Sequence, residues 1–324
     1  MVKNKRKFFK ENYVVLIERE GRKIPLLALA SLTLLLLGTN IFVTPPQTFP
    51  RIGEINVQTS AIPENSLLKT LDVNAAAAIV YDPKSGVVLY EKNADTPIPP
   101  ASTTKVVTAL VTLENYNLDE VLNVPSMHVD GQKMGLVMGE KMTVENLLNG
   151  MLIFSANDAA EVFADDFPAG RDKFIEKMNE LAQKLDLKNT RFKNPSGLFE
   201  DGHVSTARDL ARLGAYSVTN PIIAQIVKTK EKTVTSVDGV DVHKLVNLNS
   251  LLRDTPGVLG IKTGRTDEGG ESLITFVNRD GKELIIVVLG SVDRFGDTKS
   301  LLNWAYGNYR WANPGDITAV RNSL

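Results

Sequence analysis

Ser102 and Lys105 are the first two residues whose types and spacing could support chemistry. They follow two adjacent prolines and stand at the start of an apolar run, residues 106–113. Prolines end an extended segment and a serine beside them can begin a helix, so both side chains are expected on one helical face. A lysine that has lost its proton can activate a serine hydroxyl as a nucleophile. Ser66 and Lys69 have the same spacing, so spacing alone does not single out Ser102.

Two later triplets favour Ser102 over Ser66. Ser155-Ala156-Asn157 lies in the apolar segment 147–163, and Lys262-Thr263-Gly264 ends a short apolar run, residues 258–261. The order S-x-x-K, S-x-N, K-T-G is that of penicillin-binding proteins and class A β-lactamases. Each triplet alone is a weak signal, but the ordered set predicts acyl transfer on a serine.

The chain resembles low-molecular-mass penicillin-binding proteins of the D-alanyl-D-alanine carboxypeptidase family over roughly residues 72–312. Besides the three motifs, the resemblance is carried by residues 77–82, 134–136, 139–148, 155–160, 194–198 and 205–210. It implies a serine-type carboxypeptidase that removes the terminal D-alanine from peptidoglycan stem pentapeptides through an acyl-enzyme. It also implies that β-lactam antibiotics are covalent inhibitors.

Five residues are expected to carry the reaction. Ser102 would attack the carbonyl between the two terminal D-alanines, and water would later release the acyl-enzyme. Lys105 would be the base, which requires that burial or nearby cations lower its pKa. The resemblance implies that Ser155 relays a proton and that Asn157 bonds the substrate amide. Lys262 would supply positive potential beside Ser102 and Ser155.

Four further residues are expected to bind substrate. Thr263 offers a hydroxyl, and Gly264 permits close approach of the substrate to the strand. The resemblance implies an oxyanion hole made by the backbone N–H groups of Ser102 and Arg265. Arg265 is not the residue usually found after this glycine. The family also places an arginine that binds the substrate carboxylate near Arg294.

Composition excludes several other classes of site. The chain has no cysteine, which excludes disulfides, thiolate catalysis and cysteine-ligated zinc. The three histidines form no H-E-x-x-H motif and no G-x-S-x-G is present, which disfavours a metalloprotease and an α/β-hydrolase. A net charge of −1 gives no indication of a nucleic-acid partner. The expected reaction uses no metal and no other cofactor.

The N-terminal region predicts a single-pass membrane anchor. Residues 1–24 are rich in lysine and arginine and are expected to be a cytoplasmic tail. Residues 25–43 are uncharged, mostly apolar and just long enough to span a bilayer, which would place the catalytic domain outside the cytoplasm. A cleaved signal peptide is the alternative, but no clean small-x-small site follows the apolar segment. Residues 44–71 are predicted as a linker and residues 313–324 as a C-terminal tail.

Strands are predicted at both ends of the domain, with helices between them. A hairpin is predicted over 75–82 and 86–92, and later strands over 259–263, 272–278 and 283–291. Helices are predicted over 144–163, 174–185, 206–216 and 298–309, with Thr143 and Ser205 as N-caps. If the two ends meet in one antiparallel sheet, the fold is α+β with an inserted helical subdomain. This β-lactamase/transpeptidase-like fold would bring Ser102, Asn157 and Lys262 to one cleft.

Two other functions remain open at this point. A class A β-lactamase directs a deacylating water with a glutamate. Residues 145–149 match the corresponding E-x-x-L-N letters, but they precede the S-x-N motif, so Glu145 is interpreted as helix surface. The second alternative is a non-catalytic peptidoglycan-binding module, and the three intact motifs argue against it.

Overall fold

The computed structural model describes residues 62–65 and 71–312 of the 324-residue chain. The strands are, in chain order, β1 (Ile62–Asn65), β2 (Ala77–Tyr81), β3 (Val88–Lys92), β4 (Val121–Asn123), β5 (Lys141–Thr143), β6 (Glu231–Thr235), β7 (Val242–Val246), β8 (Val258–Thr266), β9 (Gly270–Arg279), β10 (Lys282–Ser291) and β11 (Tyr309–Ala312). The helices are α1 (Lys105–Asn115), α2 (Val144–Ile153), α3 (Asn157–Asp166), α4 (Arg171–Lys184), α5 (Ala207–Ser217), α6 (Pro221–Val227), α7 (Leu251–Asp254) and α8 (Arg294–Asn308). A 3-10 turn, Ala101–Thr104, leads directly into α1.

A five-stranded antiparallel sheet, ordered β3-β2-β10-β9-β8, joins the two ends of the domain. The join is the pairing of β2 with β10, in which Val80 lies opposite Ile286. Helices α1 to α6 come between β3 and β8 in the chain. The prediction of an α+β fold, with an antiparallel sheet flanked by helices and a helical subdomain inserted, is therefore confirmed.

Strand β10 is buried on both faces. Its residues 284–289 form an unbroken apolar run, which is typical of a strand covered on both sides. Successive side chains point to opposite faces, so alternate residues enter two separate cores. Ile285 and Val287 belong to the core that also contains α1 and α5, whereas Ile286 and Val288 belong to the core that contains α8. The sheet is thereby fixed between two helical layers.

The segment predicted as one helix, 144–163, is two helices separated by residues 154–156. Ser155 has a φ of +62°, in the left-handed region that an α-helix cannot continue through. Thr143 caps α2 as predicted, since its hydroxyl accepts a hydrogen bond from the Asn146 N–H at 3.2 Å. The break places the S-x-N motif in a tight turn at the start of α3.

Two other predicted boundaries were wrong. Ser205 does not cap α5, because Thr206 accepts the hydrogen bond from the Asp209 N–H, at 3.1 Å. Helix α8 begins earlier than residue 298, because the carboxylate of Asp293 caps it. Ser, Thr and Asp are all favourable N-cap residues, so residue type alone did not identify which of two neighbouring residues caps the helix.

Three strand pairs lie outside the predicted elements, and the first is the short antiparallel pair of β4 with β5. Strand β1 falls within the predicted linker and pairs antiparallel with β11. Strands β6 and β7 form a hairpin in a region predicted to be mainly helical. The predicted tails, 1–24 and 313–324, and the predicted membrane span, 25–43, lie outside the described residues. Among the residues that are described, no helix is long and apolar enough to cross a bilayer.

Candidate active site

Ser102 lies in the 3-10 turn that opens α1, and Lys105 is the first residue of the helix. The turn is held by the Thr103 hydroxyl, which donates to the Pro100 carbonyl at 2.6 Å. Because the turn continues into the helix, Lys105 Nζ reaches Ser102 Oγ at 2.9 Å. The predicted spacing on one helical face is therefore present, with the amine within hydrogen-bond distance of the hydroxyl.

The amine of Lys105 is fully buried and surrounded by oxygen atoms. Besides Ser102 Oγ it contacts Asn157 Oδ1 at 2.6 Å and the carbonyl oxygen of Ser196. Burial lowers the pKa of Lys105 to about 7, against smaller raising effects of the carboxylates of Glu161 and Asp158. A lysine with this pKa is uncharged in a substantial fraction of molecules at neutral pH.

The S-x-N motif is held by the loop that precedes α2. Asn157 Nδ2 donates to the carbonyl of Asp130, and the backbone N–H of Asn157 donates to the carbonyl of Gln132, both at 2.7 Å. With its amide nitrogen fixed in this way, Asn157 turns Oδ1 toward Lys105. Ser155, at the break between α2 and α3, turns its hydroxyl toward the third motif.

Lys262 lies on β8 and is almost completely buried. Its amine donates to Ser155 Oγ at 2.8 Å and to the carbonyl of Thr263 at 2.9 Å. Burial first, and then the positive charges of Lys105 and Arg294, lower the pKa of Lys262 well below its ordinary value. The second and third motifs are thus joined by a direct hydrogen bond.

A cleft of about 170 Å³ opens where the three motifs meet. It is lined by Ser102, Gly131, Gln132, Ser155, Asn157, Gly197, Leu198, Leu248, Thr263, Gly264, Arg265, Thr266 and Arg294. Every residue predicted for the site lines this cleft except Lys105 and Lys262, whose buried amines bond the cleft-lining hydroxyls of Ser102 and Ser155. The structure therefore brings all the predicted site residues together.

Strand β8 runs against the turn that carries the nucleophile. A Cβ atom on Gly264 would lie 2.9 Å from Ala101 Cβ and 3.0 Å from the backbone nitrogen of Ser102. Only glycine allows this approach, which brings the two chain segments expected to form the oxyanion hole next to each other. Arg294 lies at the same end of the cleft and donates from Nη1 to the Gly264 carbonyl at 2.7 Å.

Sequence reasoning missed the contribution of residues 194–198. The carbonyl of Ser196 is one of the three oxygens around Lys105, and Gly197 has a φ of +82°. Asn194 Oδ1 accepts a hydrogen bond from the Gly197 N–H at 2.8 Å and so fixes this turn. A Cβ on Gly197 would collide with the carbonyl of Ala101. The Asn-Pro-Ser-Gly-Leu stretch supported the family resemblance. The role of the Ser196 carbonyl could not be predicted from it, because any residue type has a backbone carbonyl.

Glu145 is not part of the cleft. It lies exposed on α2 and forms an ion pair with Lys232 of β6, at 3.3 Å. This agrees with its interpretation as helix surface. Ser66 and Lys69, the other pair with the S-x-x-K spacing, lie outside the described residues.

Comparisons with known proteins point to one family of peptidases. The family model described as D-alanyl-D-alanine carboxypeptidase, peptidase family S11, matches residues 62–293. The chain is 33% identical over 245 residues to the carboxypeptidase DacF of Bacillus subtilis, covering 72% of this chain and 63% of DacF. It is 34% identical over 272 residues to a D-alanyl-D-alanine endopeptidase of Pseudomonas aeruginosa, covering 82% and 85% of the two chains.

The fold comparison gives the same result. The crystal structure of the Streptomyces K15 DD-transpeptidase superposes with a TM-score of 0.69 at 30% identity, covering 74% of this chain and all of that one. The family model covers more than half of the chain and includes all three motifs. This chain therefore belongs to the D-alanyl-D-alanine carboxypeptidase family, the S11 serine peptidases.

Proposed function

We propose that this chain is a serine-type D-Ala-D-Ala carboxypeptidase that trims the terminal D-alanine from peptidoglycan stem pentapeptides. The observation that carries the proposal is the buried Lys105 amine, in contact with Ser102 Oγ and with two other oxygen acceptors. A serine beside a lysine that can be uncharged near neutral pH is an activated nucleophile. Family membership supplies the substrate class.

The orientation of Lys105 follows from its neighbours. A neutral amine has two N–H bonds and one lone pair. Asn157 Oδ1 and the Ser196 carbonyl can only accept, so they take the two N–H bonds. The lone pair is then directed at Ser102, whose hydroxyl donates to it. This arrangement prepares Lys105 to remove the proton as Ser102 attacks.

Acylation proceeds in two stages. Ser102 Oγ bonds to the carbonyl carbon of the penultimate D-alanine and gives its proton to Lys105. The carbonyl oxygen becomes an oxyanion, for which the backbone N–H groups of Ser102 and Arg265 are the proposed donors. The C–N bond then breaks, and Lys105 gives the proton it took from Ser102 to the leaving amine through the Ser155 hydroxyl. The hydrogen bond that Lys262 donates to Ser155 Oγ supports this route, because it stabilises that oxygen as its proton leaves.

The leaving D-alanine is recognised through its carboxylate. Thr263 supplies a hydroxyl from within β8, and Arg294 supplies a guanidinium that lines the same cleft. Such a pair can hold a carboxylate through charge-assisted hydrogen bonds. Water then attacks the acyl-enzyme, which frees the shortened peptide and returns the proton to Ser102.

An endopeptidase is the second candidate, favoured by the 34% identity to the Pseudomonas aeruginosa enzyme over most of both chains. Such an enzyme would share the acyl-enzyme and differ in the leaving group, which would be a cross-linked amine. Release of D-alanine from a pentapeptide and cleavage of a cross-linked dimer, measured on the same preparation, separate the two. Faster cleavage of the dimer would replace the carboxypeptidase proposal.

Covalent labelling tests the site directly. A fluorescent penicillin is expected to label the protein, and peptide mapping is expected to place the label on Ser102. The Ser102→Ala variant should not be labelled, whereas Ser66→Ala should be labelled like the parent. A long-lived label would also argue against a β-lactamase, which hydrolyses its acyl-enzyme quickly. Absence of labelling in the parent would instead favour a non-catalytic peptidoglycan-binding module.

We further propose that residues 25–43 anchor the protein in the cell membrane, with the catalytic domain outside the cytoplasm. The support is the uncharged apolar segment after a basic tail. Full-length protein is expected to stay in the membrane fraction after a high-salt wash. A mature protein whose N-terminus lies between residues 44 and 63 would show cleavage and contradict the anchor.

A further inference from the structure

Residues 130–137, here named the cleft loop, form the wall of the cleft beside Asn157. Gly131 and Gln132 line the cleft, and the carbonyls of Asp130 and Gln132 hold both nitrogens of Asn157. The fit is tight, since a Cβ on Gly131 would lie 2.8 Å from Asn157 Nδ2. The orientation of Asn157, and hence its bond to Lys105, therefore depends on where this loop stands.

One side of the cleft loop is fixed by α3. The carboxylate of Asp158 accepts the backbone N–H groups of Met134, Gly135 and Leu136, at 3.1, 2.9 and 3.1 Å. The Met134 side chain packs closely against Gly150 of α2, and a Cβ added at Gly150 would require it to move. Met134 is thus the point at which the loop meets the helices.

The other side of the cleft loop is fixed by a buried histidine on β7. His243 Nδ1 lies 3.0 Å from the carbonyl oxygen of Met134, and His243 Nε2 lies 2.7 Å from Glu140 Oε1. The second oxygen of Glu140 accepts the Val137 N–H at 3.0 Å, which closes the end of the loop. His243 is 8% exposed and Glu140 is 5% exposed, so water does not replace these bonds.

Both ring nitrogens of His243 therefore face acceptors. A carbonyl oxygen can only accept, so His243 Nδ1 carries the proton that bonds Met134. On its other side, Nε2 lies within hydrogen-bond distance of the Glu140 carboxylate. Glu140 thereby fixes the ring so that Nδ1 points at the loop, as a carboxylate does for a histidine it orients.

We propose that His243, oriented by Glu140, is a positioning residue for acylation: it fixes the Met134 carbonyl and, through the cleft loop, the orientation of Asn157. This inference rests on the proposed acylation of Ser102. His243 itself does not line the cleft, so its effect on the reaction is carried by the loop.

The hairpin that bears His243 has other anchors. Val234 and Leu245 are buried in the main core, and the Val237 N–H donates to the carbonyl of Lys141 at 2.8 Å. The hairpin therefore stays docked without the histidine. What only His243 supplies is the donor to Met134. Loss of that donor leaves the middle of the loop held only on its α3 side by Asp158, so the loop can shift and move the Asn157 acceptor that directs the Lys105 lone pair.

Two substitutions separate the two bonds of His243. His243→Asn places an amide nitrogen near the position of Nδ1 and can keep the bond to Met134. His243→Gln reaches the position of Nε2 and can keep only the bond to Glu140. In fluorescent penicillin labelling of the full chain, the Gln variant is expected to lose at least about tenfold in the acylation rate constant at saturating penicillin, since small misplacements of catalytic groups are costly. The Asn variant is expected to stay within about threefold of the parent.

His128→Gln is the matched control, because His128 is an exposed histidine beside Asp130 in the same region, at 3.5 Å. It should acylate like the parent. The half-saturating penicillin concentration is expected to change little in any variant, because His243 does not touch the cleft. If the His243→Gln variant does not fold, Glu140→Gln is tested instead. This glutamine can keep the bonds to His243 and to the Val137 N–H without a charge, so the acylation rate constant should stay within about threefold of the parent value.

Three results would overturn this assignment. The first is parent-like acylation by His243→Gln, and the second is an equal loss in the Asn and Gln variants, which would indicate a structural role. The third is a tenfold loss in Glu140→Gln. The parent serves as the separate test of the proposed function, because an unlabelled parent contradicts acylation of Ser102 whatever the variants do.

Discussion

Arg294 Nη1 donates a 2.7 Å hydrogen bond to the carbonyl of Gly264, and so ties the start of α8 to the strand of the third motif. Within the described part of the chain, Arg294 Nε is buried without a hydrogen-bond partner. Burial lowers the pKa of Arg294, and the nearby Arg265 lowers it further, while Glu271 raises it. This guanidinium is held in place and lines the cleft, so it is suited to receive an anionic substrate group.

Arg294→Ala is expected to reduce D-alanine release from a free-acid pentapeptide by at least about tenfold, because a charge-assisted contact is lost. Turnover of the same peptide with a C-terminal amide should barely change, since it has no carboxylate to bind. Arg265→Ala is the comparison, because Arg265 is exposed and lines the same cleft, and a loss on the free acid alone in that variant would assign the carboxylate to Arg265. Equal losses on acid and amide would show that Arg294 is structural.

The acylation rate is expected to rise with pH through about 7, the pKa to which burial lowers Lys105. The sign follows from the role of the amine, which acts as base only after losing its proton. Below this pH Lys105 is protonated and acylation slows, and above it the rate reaches a plateau. Rates of penicillin labelling measured from pH 5 to 9 give the profile.

Lys105→Arg should lower acylation by at least about 100-fold at every pH, because a guanidinium does not lose its proton in this range. Its rate should lack the rise near neutral pH. The same inflection in the Arg variant would mean that another group titrates, and would remove Lys105 from the role of base.

Gly197→Ala should lower both stability and acylation. The added Cβ would collide with the Ala101 carbonyl and displace the turn that presents the Ser196 carbonyl to Lys105. Gly86→Ala is the matched control, since Gly86 also has a positive φ, has open space around it and is not among the residues that line the cleft. Thermal unfolding should show a loss of about 1 kcal/mol for Gly86→Ala, which is the backbone cost alone, and a larger loss for Gly197→Ala. Similar losses in both variants would show that the contact with Ala101 is unimportant.

Ser155→Gly is expected to be more stable than Ser155→Ala, by up to ~1 kcal/mol in free energy of unfolding. The reason is the φ of +62° at this position, which glycine adopts without the steric cost of a Cβ. Both variants lack the hydroxyl that bonds Lys262, so both should acylate slowly. Equal stability in denaturant titrations would mean that the strain is relieved elsewhere.

The sheet and the three motifs could be read from the sequence because their signals are local. Strand β10 carries a long apolar run and β8 a short one, and the spacing of Ser102 and Lys105 gives their common face directly. The break at Ser155 could not be read in this way, because the surrounding letters are apolar and a non-glycine residue at positive φ is uncommon. The sequence therefore predicted the S-x-N motif but not the turn at residues 154–156 that orients its side chains.

The β6–β7 hairpin was missed although its pattern was available. Val234, His243 and Leu245 are buried while their neighbours are exposed, which is the alternation of a half-covered strand. The hairpin was overlooked because the segments before it in the chain have helical patterns. The acceptors from the loop and from Ser196 could not have been predicted from side chains, because they are backbone carbonyls placed by tertiary packing.

The pairing of β2 with β10 also bears on when the enzyme becomes active during synthesis. Strand β2 precedes the nucleophile in the chain, but it pairs with β10 near the end of the domain. The sheet therefore cannot close until almost the whole domain has been made. Until then β2 is without its β10 neighbour, and β8, which carries Lys262, is not yet joined to β2 through the sheet. A chain interrupted before β10 is therefore expected to be a substrate for quality-control proteases and not a partly active hydrolase.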